Sequence, residues 1–448
     1  MFKDFRHHLR HLEDKGMLKR ITKEVDIRFE IAAGLRKVSD NDGPALFFEK
    51  VKGYPGWKVV GGLFATHKLT AAAYETTPEK LLDRTLELES KRIPPVAVAT
   101  GPCKEVVLKG DEVDLRKFPI PIHTEKDTGP YVLAGVQIVK NPLTGIRNAS
   151  MHRMLVIDKN HLSCWAPPDR HLGRLILQAE EMKKPLGIAT AIGLDPSIPL
   201  TSQAKVPMGV DELELAGGFR GAPVELVKCE TIDAEAPAHA EIVLECETVP
   251  GRRVADGPFA EYPGCYSESK QAPVVKVTAI TMRKDALFQT VLTGMPRTED
   301  HWMMQLYNEA AAYRLVKEII PEVKAVNVTH GGASRHHVVV SVKKRHEFEA
   351  RNVILALLGA NFGIKHVIVV DEDIDVFNPH DVEWAVNNRM QPDRDILIIP
   401  NLTNSTLDPS APLARTSAKW GIDATMPLTD NEKYKKVYIP GQDTVDYI

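Results

Sequence analysis

The chain reads as a mixed α/β (α+β) protein in three parts: an α/β domain over residues 1–115, a β-rich domain over 116–300 and a second α/β domain over 301–448. Three observations predict this. Helical and strand-like patterns alternate at both ends, and strand-like runs dominate the middle. The stretch Asp114-Leu115-Arg116-Lys117-Phe118-Pro119-Ile120-Pro121 is a proline-punctuated crossing between the first two textures. A length of 448 residues also exceeds one ordinary hydrophobic core.

In the first part, Phe5, Leu9, Leu12 and Leu18 recur at roughly helical spacing with charge between them, which predicts an amphipathic helix. A second helical pattern covers 29–38 and a third 78–91, while apolar runs at 45–48, 59–64 and 96–100 predict strands. The middle holds runs at 132–139, 154–157, 187–192, 241–247, 274–282 and 287–292, separated by Pro- and Gly-rich turns, with one helix at 173–183. That texture predicts an antiparallel barrel or sandwich. In the last part Leu306, Ala310, Tyr313, Val316 and Ile320 form one helical stripe. Strands at 338–342, 367–370 and 396–399 then alternate with helices at 348–358 and 382–387, the mark of a parallel, doubly wound sheet. The tail at 434–439 is expected to pack on a neighbouring element or a partner subunit.

Composition narrows the function. Hydrophobic content of 43% and charged content of 26% are those of a globular protein. A net charge of -3 gives no electrostatic reason to expect nucleic acid or an anionic membrane as partner. No run of about 18 apolar residues predicts a membrane span, and the N-terminus lacks the apolar core of a signal peptide. Five scattered cysteines argue against a disulfide framework or a CxxC metal site and suit the cytoplasm.

Four polar clusters in the β-rich middle are candidates for chemistry. Arg147-Asn148-Ala149-Ser150-Met151-His152-Arg153 lies between two apolar runs, where each buried polar group needs a partner. Arg153 offers a planar fork for a carboxylate or phosphate, and Asn148 an oxygen for a hard cation. Pro167-Pro168-Asp169-Arg170-His171-Leu172-Gly173 precedes a helix and reads equally as a phosphate site or as a helix start capped by Asp169. Gly217-Gly218-Phe219-Arg220-Gly221-Ala222-Pro223-Val224-Glu225 carries a carboxylate among apolar neighbours that needs a cation or donor, a lysine being one candidate. Asp256-Gly257-Pro258-Phe259-Ala260-Glu261 places two acids about a turn, either exposed or facing one pocket where one becomes a general acid. Farther on, Arg297 and His301 are candidates to meet a second carboxylate or ring hydroxyl of a substrate, and Trp302 to stack on a flat ring.

Taken together, these clusters resemble the UbiD family of reversible decarboxylases along essentially the whole chain. The resemblance rests on Asn148-x-x-x-x-Arg153, Arg170-His171, Pro223-Val224-Glu225 and Asp256-Gly-Pro-Phe-x-Glu261, in this order and at family-like separations. One such piece is weak; four in register are specific. The resemblance implies a central flavin-reductase-like split β-barrel between two α/β domains, and prenylated FMN as cofactor. It further implies that Asn148, His171 and Glu225 hold Mn²⁺ (or Mg²⁺), with K⁺ beside it. Met151, His152, Arg153, Trp165, Ala166, Pro167 and Arg170 would line the cofactor, and Lys365 would reach its phosphate. The catalytic trio would be Glu261 as proton donor, Arg153 and Asp256, the last standing where members acting on cinnamic-type acids carry Glu. An aromatic or heteroaromatic acid such as a furan dicarboxylate or a hydroxybenzoate, a flavin prenyltransferase as cofactor supplier and a homodimer or hexamer complete the expectation. Two other classes stay open, a cofactor-holding subunit of a larger carboxylase and a plain FMN oxidoreductase.

Overall fold

The computed structural model describes residues 2–360, 363–411, 416–441 and 444, and the chain divides into two units, Met1–Tyr307 and Asn308–Ile448. The last four positions of the expected third domain lie outside the described residues.

The first helix, Phe5–Asp14, begins where the Asp4 side chain accepts the His7 N–H, and it buries Phe5, Leu9 and Leu12. Leu18 is not on its stripe. Gly16 adopts a φ of 67°, which ends the helix, and Leu18 opens a strand instead. Four strands form the first sheet in the order Leu18–Ile21, Ala45–Phe48, Lys58–Gly61 and Leu287–Gln289. The last of these comes from the run at 287–292 that was expected in the middle domain. It pairs in parallel with Lys58–Gly61, Phe288 opposite Val59, and all three of its residues are buried, as a parallel strand covered on both faces requires.

The middle sheet is antiparallel. Its order is His161–Ser163, Lys270–Met282, Ile242–Asp256, Gly187–Ile192, Val136–Lys140 and Arg147–Met151, with Val106–Lys109 also on the edge of Lys270–Met282. Among the described residues no pairing between its outer strands closes it into a ring. The run at 132–139 splits into Tyr131–Val132 and Val136–Lys140, and the short strand Val96–Ala97 joins Glu225–Lys228 and Glu235–Pro237 in a separate sheet.

A helix not read from the pattern, Glu212–Arg220, lies directly against the chain at 91–93. A Cβ on Gly217 would stand 2.2 Å from the Ile93 carbonyl oxygen, and one on Gly218 2.3 Å from that of Lys91. Backbone cannot yield as a flexible side chain can. Gly217→Ala is therefore expected to cost about 1–3 kcal/mol by overpacking, read as a lowered urea midpoint at unchanged slope; an unaltered midpoint would refute the contact.

The second unit carries a five-stranded sheet in the order Val323–Val328, His337–Val342, His366–Asp371, Thr416–Ala424 and Ile396–Thr403. Its two central pairings are parallel and its two outer ones antiparallel, so the sheet is mixed rather than parallel throughout. Helix Glu349–Gly359 buries Val353, Ile354 and Leu357 in the same core as Val340, Val367 and Val369. The tail is tied down by Lys436, which bonds Asp381, and by the Tyr434 carbonyl, which accepts from Arg389. Beyond them Val437, Tyr438 and Ile439 are exposed. Among the described residues no helix is long and apolar enough to cross a membrane.

Candidate active site

Strand Arg147–Met151 pairs with Val136–Lys140, Asn148 opposite Val139, which sets Asn148 on the buried side. Helix His171–Glu181 starts at Arg170, whose side chain makes no cap and whose backbone is extended. The chain at 166–167 folds onto this first turn because Gly173 allows it: a Cβ there would stand 2.1 Å from the Pro167 carbonyl oxygen. The two elements meet where His171 Nδ1 donates to Asn148 Oδ1 at 3.0 Å.

The third group at this meeting point is Glu212, not Glu225. Glu212 Oε1 lies 3.9 Å from His171 Nδ1, and its other oxygen accepts the Ala149 N–H at 2.7 Å. Glu225 opens a strand of another sheet, with its side chain 45% exposed, and accepts from His239 Nε2 at 2.6 Å. Its partner is thus a histidine and not a lysine. A signal for Glu212 was present: it shares a helical face with Leu215, Ala216 and Phe219, and an acid on an apolar stripe is the informative exception. Amide oxygen, imidazole nitrogen and carboxylate make a donor set that fits Mn²⁺ or Mg²⁺. The amide is the third member of this set, and among the described residues no group of three His, Cys, Asp or Glu stands placed to hold a metal ion.

The second constellation is an arginine between two acids. Arg153 Nε donates to Asp256 Oδ1 at 2.8 Å, and its Nη1 donates to Glu261 Oε1. Asp256 is fully buried, and Arg153 is 9% exposed. Burial works against the guanidinium charge, but the attraction of Glu261 and Asp256 outweighs it and raises the pKa above the ordinary arginine value. The guanidinium lies 4.5 Å over the Phe259 ring. Its remaining nitrogen, Nη2, is buried with no hydrogen-bond partner among the described residues. Glu261 sits in the tight turn between Phe259–Ala260 and Tyr266–Ser267, where its own N–H bonds the Cys265 carbonyl.

The other expected residues fall as follows. Burial pushes His152 down to about 4, so its imidazole is neutral near pH 7, and its N–H bonds Gln137 Oε1 at 2.7 Å. Met151 packs partly buried against the neighbouring cores. Trp165 bonds the Arg153 carbonyl through its N–H at 3.3 Å, leading into Ala166 and Pro167. Arg170, rather than Asp169, takes the cap position of the helix. Lys365 belongs to the second unit, where it pairs with Asp408 at 2.8 Å.

The expected substrate residues are engaged with the protein itself. Arg297 pairs with Asp42 at 2.7 Å. Trp302 stacks on His67 with ring centroids 4.9 Å apart, and its indole N–H bonds the Ala65 carbonyl. His301 is fully buried, and its Nε2 donates to the Tyr262 carbonyl at 2.7 Å, next to Glu261. Burial opposes charge on His301, but Asp300 at 3.0 Å prevails and raises its pKa. Arg297 precedes helix Glu299–Ile319 and stays partly exposed, whereas His301 and Trp302 lie in its first turn and are buried.

Three family models match the chain in tandem. Residues 9–89 match the N-terminal domain of 3-octaprenyl-4-hydroxybenzoate carboxy-lyase, 95–296 its Rift-related domain and 301–424 its C-terminal domain. The chain belongs to the UbiD family. UbiD proteins are carboxy-lyases, and this one is an enzyme of that kind. The UbiD-class enzyme HmfF from Pelotomaculum thermopropionicum, in complex with FMN, is 41% identical over 99% of both chains with a TM-score of 0.92. An evolved dimeric form of HmfF in complex with prFMN is 40% identical over 99% of both, with a TM-score of 0.89. Anhydromevalonate phosphate decarboxylase of Methanothermobacter thermautotrophicus is 42% identical over 73% of this chain and 77% of its own. Phenolic acid decarboxylase of Sedimentibacter hydroxybenzoicus is 34% identical over 96% and 92%. The middle UbiD match contains Asn148, Arg153, His171, Glu212, Asp256 and Glu261.

Proposed function

We propose that this enzyme catalyses reversible, non-oxidative decarboxylation of an acid whose carboxylate sits on an sp² carbon, aromatic, heteroaromatic or α,β-unsaturated, using prenylated FMN. The observation that carries the reading is Arg153, which bonds Asp256 and Glu261 while its third nitrogen is buried with no partner among the described residues. A buried, unpaired guanidinium nitrogen is costly unless a ligand meets it, and a substrate carboxylate is the matching acceptor. Prenylated FMN, when bound, supplies the sink for the electron pair that departing CO₂ leaves behind. Arg153 holds the carboxylate, and Glu261 delivers the proton to the carbon that CO₂ has left. Asn148, His171 and Glu212 would hold Mn²⁺, with K⁺ beside it, and the uncapped first turn at His171 would supply backbone donors suited to the cofactor phosphate.

The relatives support this reading from several sides: FMN and prFMN in HmfF, and a phenolic acid named for the Sedimentibacter enzyme. Furan dicarboxylate and hydroxybenzoates remain the substrates of choice, beside a phosphorylated unsaturated acid of the kind the Methanothermobacter relative's name specifies. The enzyme works in the cytoplasm, where five free thiols persist, as a homo-oligomer loaded by a flavin prenyltransferase.

Protein made alongside such a prenyltransferase is expected to carry a prenylated flavin by mass and to release CO₂ from at least one of these acids. Glu212→Ala is expected to lose bound manganese in elemental analysis, and Glu225→Ala to keep it. Plain FMN with NAD(P)H reactivity and no CO₂ release would overturn the proposal, and retained manganese in Glu212→Ala would overturn the ligand set.

A further inference from the structure

Asp256 is held by more than Arg153. Ser163, fully buried at the end of strand His161–Ser163, donates its hydroxyl to Asp256 Oδ2. The same hydroxyl oxygen accepts the Leu155 N–H at 3.1 Å, in the short strand that directly follows Arg153. Tyr131, also fully buried, turns its hydroxyl to Asp256 Oδ1 from 3.4 Å, the oxygen that takes Arg153 Nε. Its ring packs on Phe259, 4.8 Å between centroids, which in turn lies under the guanidinium. Both oxygens of Asp256 are thus occupied by protein donors, which suits an anchor rather than a group that reaches the reacting atoms.

An aspartate is one methylene shorter than a glutamate, so from the same backbone position it needs a donor brought to it. Ser163 is brought to it by the strand wall. We propose that Ser163 is a positioning residue for the decarboxylation. Through Asp256 it fixes the guanidinium of Arg153, so that Nη1 meets Glu261 and Nη2 stays clear of protein acceptors. The inference rests on the reading in which Arg153 and Glu261 act on the bound acid.

The test compares wild-type holoenzyme with Ser163→Ala, Ser163→Cys and the double variant Asp256→Glu/Ser163→Ala. Flavin content and melting temperature are followed beside kcat and KM. Loss of one hydrogen bond to a charged group predicts that kcat falls about tenfold in Ser163→Ala. KM and flavin content should stay as in the wild type, a split that general loosening of the fold would not give. The longer acid in the double variant is expected to recover most of the lost kcat by reaching into the space the hydroxyl leaves. Wild-type kcat in Ser163→Ala overturns the inference, as does a fall in kcat matched by an equal loss of flavin. Should Ser163→Ala not fold, Ser163→Cys keeps a similar size but weakens the donor, and the same split is read from it. Wild-type protein that releases no CO₂ from any acid overturns the decarboxylase reading itself, and this inference with it.

Discussion

Glu261→Gln is expected to reduce turnover by about 10²–10⁴-fold, the usual contribution of a positioned general acid. The amide keeps the shape of the side chain and still offers an oxygen to Arg153 Nη1, the bond that orients it. What it lacks is a proton to give. The turn around it is secured independently of the carboxylate, by the bond from the Glu261 N–H to Cys265 and by the Tyr262 carbonyl on His301. Flavin content and melting temperature are therefore expected to match the wild type, with only kcat lost. Near-native rates in Glu261→Gln would remove this residue from the chemistry.

Arg153→Leu is the more damaging change, because it acts on stability and on activity together. Asp256 has no exposure to solvent and Arg153 very little. Deleting the guanidinium leaves a buried carboxylate with, among the described residues, only the hydroxyls of Ser163 and Tyr131. Breaking a buried pair from one side costs about 3–5 kcal/mol, and the substrate's own partner disappears with it. A large fall in the urea midpoint and no detectable CO₂ release are expected. Adding Asp256→Leu should restore stability but not turnover, because the stranded charge is gone while the carboxylate holder is still missing. If the double variant were no more stable than Arg153→Leu, the cost would not come from Asp256.

Much of this site was legible in the sequence because its members are polar residues set between apolar strands. Asp256 and Glu261 stand five positions apart around one turn, so local spacing already brings both within reach of Arg153, and Asn148 and Arg153 flank one strand end. What spacing cannot show is which distant segment arrives beside them. Glu225 and Glu212 are both acids near a glycine pair, and it takes the folded arrangement, with helix Glu212–Arg220 against the chain at 91–93, to show that Glu212 is the one beside His171. The helix itself is masked in the sequence because Gly217 and Gly218 are poor helix formers, placed here where the chain at 91–93 comes close. The protein contacts of Arg297 and Trp302 are hidden in the sequence for a related reason. Each is amphipathic enough to serve a ligand or the protein's own interior, and Asp42 and His67, far away in sequence, take them. The mixed character of the last sheet was hidden because strand Thr416–Ala424 is interrupted by Lys419 and Gly421 and gives no continuous apolar run.

Strand Leu287–Gln289 has a consequence for how the polypeptide is made. The sheet that begins at Leu18 gains its last member only after well over half the message has been translated, so its open edge beside Lys58–Gly61 must wait on the ribosome for a segment still unsynthesised. Gene fragments that stop at the proline crossing would encode an unfinished sheet, so the N-terminal portion is expected to need the central one on the same polypeptide to complete its fold.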